Sequence, residues 1–424
     1  MKGIINLEDL NEILNDANRC LNCKNARCIA GCPISTNIPE FIKNIKENNF
    51  KIAYEILQEN NFMSQICSIV CPVENQCVGN CIRGIKSEPI KINKLEKFIN
   101  DWANLNNIEY IPKTKNLSNK KVSIIGSGPA GIACAVELKK AGADVTIFEK
   151  ENKCGGILEY GIPDFRLSKD ILKNLIQKVL SLGINIKTGI EFGKDFNLED
   201  LKNQGYNNVF LALGAQKQNK YSLSNEETEN IYNSDEFLKK YNYKEPLQNL
   251  GIVVVIGGGN VAFDSARAAI KKGAKKVYIL YRRTEELMPG CKSELEETLA
   301  DGVEIVFQTK VLNAKLKNKK VEEIECIKTK IENNKAVDIE GSNYTMEANT
   351  IIFAIGAKAS EDFFEKLDIE IKNGLVCVDE NYMTNKNGIY AGGDLVEAKS
   401  SVCKAISTGK KAAKAIIENE RNVI

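Results

Sequence analysis

Lys121-Val-Ser-Ile-Ile-Gly126-Ser-Gly128-Pro129-Ala130-Gly131 decides the fold. An apolar run enters a tight glycine turn, an Ala-rich helical stretch follows, and Val145-Thr-Ile-Phe-Glu149 closes the segment. Strand, turn, helix and a second strand ending in an acid are the parts of a dinucleotide-binding fold. Gly126 makes the turn, Gly128 lets backbone N–H groups approach a pyrophosphate, and Gly131 lets helix pack closely on strand. Pro129 and Ala130 open the helix whose positive end faces that anion. Glu149 stands about 20 residues beyond Gly126, the separation of an acid that binds a ribose hydroxyl. With all of these in register, cofactor binding outweighs a bare glycine turn.

The pattern then returns in Ile252-Val-Val-Val-Ile-Gly257-Gly258-Gly259-Asn260-Val261, with a helix and Val277-Tyr-Ile-Leu-Tyr-Arg282-Arg283 behind it. Here the second strand ends in bases. Arg282 and Arg283 suit a 2′-phosphate, whereas an acid selects the free hydroxyl. A solvated Arg pair is the plain alternative, and the upstream glycine turn favours the phosphate. Asn208–Gly214 and Thr350–Gly356 share a strand-then-Gly form, which adds Ala354 and Gly356 to the second set of cofactor candidates. Gly388-Ile-Tyr-Ala-Gly392-Gly393-Asp394 and an Ala-rich helix end the chain. The first site reads as FAD and the second as NADP(H), so a nicotinamide domain interrupts an FAD domain.

The 424 residues are too many for one ordinary core and imply two or three domains. No apolar run is long enough to span a bilayer. Met1-Lys-Gly-Ile-Ile-Asn-Leu-Glu-Asp carries acids where a signal peptide is apolar, so a cytoplasmic protein is expected. Lys and Arg total 58 against 56 for Asp and Glu, a balance that favours neither nucleic acid nor a membrane surface. The chain has no histidine, which excludes a His general base and any His-ligated metal or haem.

Residues 1 to about 112 carry apolar residues at helical spacing in Asn37–Ile45, Phe50–Leu57 and Lys91–Trp102, and Ile111–Lys120 reads as a polar linker. A helix is expected near Lys169–Leu182 and a strand at Ile184–Lys187. Residues 216–249 read as a polar crossing, and Val303–Lys330 as short strands around a solvated Lys-rich turn.

Eight of the 14 cysteines fall between Cys20 and Cys81. Cys20, Cys23, Cys28 and Cys32-Pro33 are followed by Cys67, Cys71-Pro72, Cys77 and Cys81. In a reducing compartment such runs are metal sites before they are disulfides. The spacing is near that of two-cluster ferredoxins but has four residues between Cys23 and Cys28. Two structural zinc sites are the bland alternative, and two cofactor folds on the same chain tilt the choice to redox clusters. Cys154 has no companion cysteine nearby, Cys134 reads as core packing, and Cys291, Cys326, Cys377 and Cys403 show no metal spacing.

With these pieces assembled, the chain resembles the glutamate synthase small-subunit family. Relatives of that family include the large subunit of the bifurcating ferredoxin-dependent NADP transhydrogenase and the N-terminal half of dihydropyrimidine dehydrogenase. The cysteine runs carry the resemblance, with Gly155-Gly156-Ile-Leu-Glu-Tyr-Gly-Ile-Pro-Asp-Phe-Arg166-Leu, Gly257–Asp264 and Arg282–Pro289. The resemblance implies one 4Fe-4S cluster on Cys20, Cys23, Cys28 and Cys81, and a second on Cys32, Cys71, Cys77 and Glu96. Counting cysteines alone gives two all-cysteine sites, with Cys67 in place of Glu96. The resemblance also implies FAD contacts from Gly155, Gly156, Arg166, Gly393 and Asp394, with the start of the helix at Val402–Ile406 facing the flavin pyrimidine. Two departures stand out: Glu397–Ser401 replaces a Gly-containing turn, and the Gly214–Gly251 segment is short for the family.

The expected fold is α/β, with two Rossmann-like dinucleotide-binding domains, the nicotinamide one inserted in the FAD one, preceded by an α-helical iron–sulfur domain. The boundaries are 1–112 helical with two clusters, 120–215 and 360–424 for FAD, and 222–358 for NADPH. The expected function is hydride transfer from NADPH to flavin and single-electron transfer through two 4Fe-4S clusters to a partner subunit, in a hetero-oligomer. The partner is glutamate synthase-like, or belongs to a dihydropyrimidine dehydrogenase or a bifurcating transhydrogenase. A zinc-stabilised interaction module is the rival from another class.

Overall fold

The computed structural model describes residues 7–112, 120–219, 223, 228–247, 249–398 and 400–422. Most of the linker expected at 111–120, and part of the crossing at 216–249, lie outside the described residues. The chain divides into two compact units, one of residues 1–159, 166–216 and 358–424, the other of 160–165 and 217–357. Among the described residues no helix is long and apolar enough to cross a membrane.

The first unit begins with helices Leu7–Asn18, Ile38–Lys46, Phe50–Asn60, Ser64–Val70 and Ile92–Leu105. Their helical-period apolar positions meet in one core of Phe41, Ile42, Ile45, Tyr54, Leu57, Leu95 and Ile99. A buried polar triad closes beside it: Gln58 Nε2 donates to Ser64 Oγ (2.9 Å) and Asn100 Oδ1 (3.1 Å), and Ser64 Oγ donates to Asn100 Oδ1 (2.9 Å). Most of the clustered cysteines occupy the irregular stretches between these helices, while Cys67 lies within Ser64–Val70 and Cys28 in the short helix Arg27–Ala30.

The same unit holds a five-stranded parallel sheet in the order Ile389–Ala391, Asn208–Leu211, Lys121–Ile125, Asp144–Glu149, Asn185–Thr188. Helix Pro129–Lys140 is buried along most of its length. Its outer side is covered by the C-terminal helix Val402–Asn422, where a side chain on Gly409 would overlap the Ala130 carbonyl oxygen.

The helical region does not stand apart from this fold. Ser407 Oγ donates to Pro33 O (2.8 Å), Lys140 Nζ to Glu59 O (2.9 Å), and Lys178 Nζ to Asn104 Oδ1 (3.3 Å). Lys410 Nζ donates to Asn60 O, and Gln76 Nε2 to Ser401 Oγ (3.4 Å).

The second unit repeats the parallel sheet as Ile231–Asn233, Thr350–Phe353, Ile252–Ile256, Lys276–Tyr281, Glu304–Phe307. Its edge strand and the helix Ser234–Asn242 fall in the stretch expected to be an irregular crossing. Phe237 and Leu238 bury that helix against the sheet core, which overrides its polar composition. In place of short strands, Thr309–Lys317, Lys320–Glu332 and Lys335–Glu347 form a long antiparallel ribbon. Both turns are two residues with positive φ throughout, Asn318-Lys319 and Asn333-Asn334, the form that matches strand twist. Residues Tyr160–Phe165 belong to this unit: Asn242 Nδ2 donates to Tyr160 O (2.8 Å) and Ile162 O (3.1 Å).

Candidate functional site

At the first glycine loop, Gly126 has φ of +104°, and any side chain there would overlap the Ala212 carbonyl oxygen. A side chain on Gly131 would overlap the Gly126 carbonyl oxygen, so helix and turn meet through backbone alone. Gly128 differs. Nothing lies within 4 Å of where its Cβ would stand, so the space at the helix N-terminus is open to a ligand.

Ser127 ties this loop together. Its N–H (2.9 Å) and hydroxyl (2.6 Å) both donate to Glu149 Oε2, and its oxygen accepts the Gly155 N–H at 3.0 Å. Among the described residues Glu149 Oε1 accepts the Glu151 N–H alone (2.9 Å), which leaves it capacity for a hydroxyl donor. A Cβ on Gly156 would stand 2.9 Å from Gly128 Cα, and one on Gly393 would stand 3.2 Å from Ala130 Cβ. Gly393 also gives its N–H to Thr408 Oγ1 (2.7 Å). Gly126–Gly131, Glu149, Gly155, Gly156 and Gly393 thus converge. Asp394 follows, its carboxyl raised above the usual range by burial, and Arg166 is half-buried. Sequence reading missed Ser127 and Thr408; a hydroxyl between the two loop glycines was the available signal for Ser127. Burial, then Glu149, pushes the nearby Cys154 thiol up, which disfavours a nucleophilic thiolate there.

At the second loop Gly257 has φ of +155°, a side chain on Gly258 would strike the Tyr281 ring, and Gly259 is open. The Thr284–Gly290 segment lies along the turn, through Gly290 N–H to Gly258 O (3.1 Å) and Tyr281 Oη to Leu287 O (2.7 Å). Asn260 is held by this neighbour: its Oδ1 accepts the Cys291 N–H at 2.8 Å. Val261 is exposed on the first helical turn. Arg282 is exposed at the strand end, while Arg283 is half-buried with its Nε lacking a hydrogen-bond partner, an atom that an anion would satisfy. Ala354, just past the strand Thr350–Phe353, donates its N–H to Ile256 O (2.9 Å) and lies against Gly257 of the glycine turn, and Gly356 follows at φ +86°.

The thiols form two groups. Cys20, Cys23, Cys28 and Cys81 line one pocket together with Arg27 and Arg83. Burial, then Cys81 and Cys20, pushes the Cys28 thiol up to about 11, and burial raises Cys20. A bound cation would reverse that, because coordination takes the thiolate form.

The second group is larger than expected. The Sγ atoms of Cys67, Cys71 and Cys403 all lie within 4.8 Å of one another. The neighbouring Cys403, then burial, raises the Cys32 thiol, and Cys32 Sγ donates to Thr36 Oγ1 at 3.4 Å. Burial, then Glu96, Cys32 and Cys403, raises the Cys77 thiol. Burial, then Cys32 and Cys403, holds the Glu96 carboxyl well above the usual carboxylate range. Cys32, Cys71, Cys77 and Glu96 therefore share one neighbourhood, and Cys67 and Cys403 share it with them. The buried Asn61 side chain stands beside Cys67 and favours its thiolate form. A buried set of soft thiol donors with an amide side chain beside it fits an iron–sulfur cluster.

Residues 120–414 match the family model described as pyridine nucleotide-disulphide oxidoreductase, and residues 2–108 match dihydropyrimidine dehydrogenase domain II, 4Fe-4S cluster. The chain is 31% identical to the glutamate synthase [NADPH] small chain of Escherichia coli, over 95% of this chain and 90% of that one. It is 34% identical to the NAD-dependent dihydropyrimidine dehydrogenase subunit PreT of Escherichia coli, over 95% and 93%. In fold it is similar to FprA of Mycobacterium tuberculosis in complex with NADPH (TM-score 0.62, 18% identity, 72% of this chain and 85% of that one). Thioredoxin reductase of T. acidophilum is a second neighbour (TM-score 0.54, 17% identity, 71% and 99%). The chain belongs to the pyridine nucleotide-disulphide oxidoreductase family, among the oxidoreductases of the glutamate synthase small-chain and PreT type that carry an N-terminal 4Fe-4S domain.

Proposed function

We propose that the protein is the electron-input subunit of a multi-subunit enzyme, an NADPH-dependent FAD and iron–sulfur oxidoreductase that serves a glutamate synthase-type partner. The observation that carries this reading is the sharing of one compact unit by the first glycine loop and both thiol groups. When bound, FAD supplies hydride acceptance from a reduced nicotinamide, and iron–sulfur clusters supply one-electron transfer. The chain's own part is positioning. Gly128 and the Pro129–Lys140 helix N-terminus would receive the FAD pyrophosphate, with Glu149 Oε1 for a ribose hydroxyl and Gly155, Gly156, Arg166, Gly393 and Asp394 around the remainder. Gly257–Val261, Ala354 and Gly356 would seat the nicotinamide dinucleotide, with Arg282 and Arg283 for its 2′-phosphate. Cys20, Cys23, Cys28 and Cys81 would hold one 4Fe-4S cluster. Cys32, Cys71 and Cys77 would hold a second, with Glu96 as the fourth ligand that the family resemblance supplies.

Protein purified anaerobically should carry flavin absorbance and about eight iron per flavin, as two 4Fe-4S clusters require. Protein with neither iron nor flavin sinks the reading, and zinc in their place supports the interaction module. The PreT relatives favour a second reading, a dihydropyrimidine dehydrogenase subunit. The subunit that copurifies decides between glutamate synthesis, pyrimidine chemistry and a bifurcating transhydrogenase.

A further inference from the structure

We infer that Thr329 is a positioning residue for cofactor choice: with Gln308 it clamps the backbone of Arg282 and Arg283, so that both guanidiniums meet a 2′-phosphate. This rests on the phosphate reading of the arginine pair above. Thr329 lies on the strand Lys320–Glu332, far along the chain from the glycine turn, and belongs to no cofactor motif.

The strand Lys276–Tyr281 pairs with Glu304–Phe307 only as far as Tyr281 and Phe307. The carbonyls of Arg282 and Arg283 lie past that ladder and need other donors. Gln308 supplies one: its N–H donates to Arg283 O at 3.1 Å, from a backbone φ of +51° that turns the chain sharply after its strand. Thr329 supplies the other, its Oγ1 donating to Arg282 O at 2.8 Å. The two donors are also locked to each other, Thr329 N–H to Gln308 O (2.8 Å) and Gln308 Nε2 to Thr329 O (3.2 Å). These bonds tie the backbone of the arginine pair to the base of the antiparallel ribbon.

The ribbon is irregular where it makes this contact. Between Ile327 and Thr329 its ladder with Lys335–Glu347 jumps from Asn343 to Asp338, and Lys328 N–H donates to Ser342 Oγ (3.1 Å). Breaks of this kind re-aim side chains beside binding sites. Thr329 is 2% exposed, so its hydroxyl bond is shielded from competing water. Charge-assisted forks on one phosphate need both guanidiniums placed to within about 0.5 Å. Arg282 is exposed, so its aim is set chiefly by its backbone. A held backbone also lowers the conformational entropy lost when the anion binds. A nucleotide without the 2′-phosphate gains nothing from the clamp.

The test uses the full chain purified anaerobically as wild type, Thr329→Val, Thr329→Ala and Thr329→Ser, each titrated calorimetrically with NADP+ and with NAD+. Thr329→Val keeps the side-chain shape and removes only the hydroxyl. It is expected to bind NADP+ about fivefold more weakly, as loss of one neutral hydrogen bond implies, and NAD+ within about twofold of wild type. Thr329→Ala removes the same hydroxyl and should repeat that split. Thr329→Ser keeps the donor and should return NADP+ affinity to within about twofold of wild type. Unchanged NADP+ affinity in Thr329→Val and Thr329→Ala overturns the inference. So does an equal loss for both nucleotides, or unfolding of both variants at the assay temperature, since Thr329 then serves the fold alone. Wild type that binds NAD+ as tightly as NADP+ sinks the phosphate reading itself. A wild-type preference for NADP+ that survives Thr329→Val sinks the clamp alone, which separates the two failures.

Discussion

At the residue scale, Arg283 and Cys403 mark what a sequence can and cannot show. Arg283 could be put forward from the sequence because its signal is local: a base at a fixed distance behind a glycine turn, where an acid would suit the other cofactor. Its buried, unpartnered Nε adds a reason to expect an anion. Replacing Arg283 by Ala removes a charge-assisted contact of about 1.5–3 kcal/mol, roughly tenfold to hundredfold in kcat/KM for NADPH. Turnover with NADH, which lacks the 2′-phosphate, should stay within about twofold. Dye reduction with both nucleotides measures this, and an equal loss for both would remove the phosphate role. Cys403 was illegible because tertiary folding, not spacing, brings it to Cys67 and Cys71. Ser127 lies between the two cases: its place was visible, but its bonds to Glu149 and Gly155 depend on two returning segments.

At the element scale, strands and helices with strong periodicity stood where the sequence put them. The helices at Ile38–Lys46, Phe50–Asn60, Ile92–Leu105 and Lys169–Ser181 are examples. The helix Ser234–Asn242 escaped because three aromatic or aliphatic anchors among polar residues give a weak pattern. The ribbon escaped because one strand partner, Lys335–Glu347, is largely exposed and so lacks an apolar signal. Helix Asn260–Lys271 carries an element-scale prediction through Arg267. Its guanidinium meets Asp301 (2.8 Å) and Glu297 (2.6 Å) and lies 4.8 Å over the Phe165 ring. Arg267→Met keeps the apolar stem but removes the guanidinium from three acids, Asp301, Glu297 and the more distant Glu294 (4.0 Å), of which Glu297 already reaches water at 63% side-chain exposure. The cost should therefore be about 2 kcal/mol, below that of breaking a fully buried pair. Denaturant unfolding checks it, with Lys271→Met expected to change stability by under about 0.5 kcal/mol.

At the scale of the whole molecule, the chain uses one parallel sheet twice. Each sheet sets its glycine-turn strand third from the edge, but the outermost strand comes from after the sheet in the first unit and from before it in the second. The repeat was legible because each copy keeps its own turn and strand signals. The packing of residues 7–112 with the flavin fold was not, because it is made by single side chains such as Ser407 and Lys140 reaching backbone carbonyls. That packing makes a claim about metal removal. The thiol groups join separate helices within the first unit, so bound metal cross-links them, and metal affinity there is folding free energy. No thiol of either group belongs to the second unit. Stripping iron from the intact protein should therefore lower the unfolding temperature of the first unit by about 10 °C, a loss of a few kcal/mol for a unit of that size. The second unit should be unmoved. Hydrogen exchange resolves the two: protection should fall in Ile38–Lys46, Ser64–Val70 and the start of Val402–Asn422, and persist in Ile252–Ile256 and Lys276–Tyr281. Equal loss in both units would mean that the clusters, or whatever metal is removed, support the fold globally, and no loss in either would mean that the helical core of Phe41, Leu57 and Leu95 holds the thiols in place unaided.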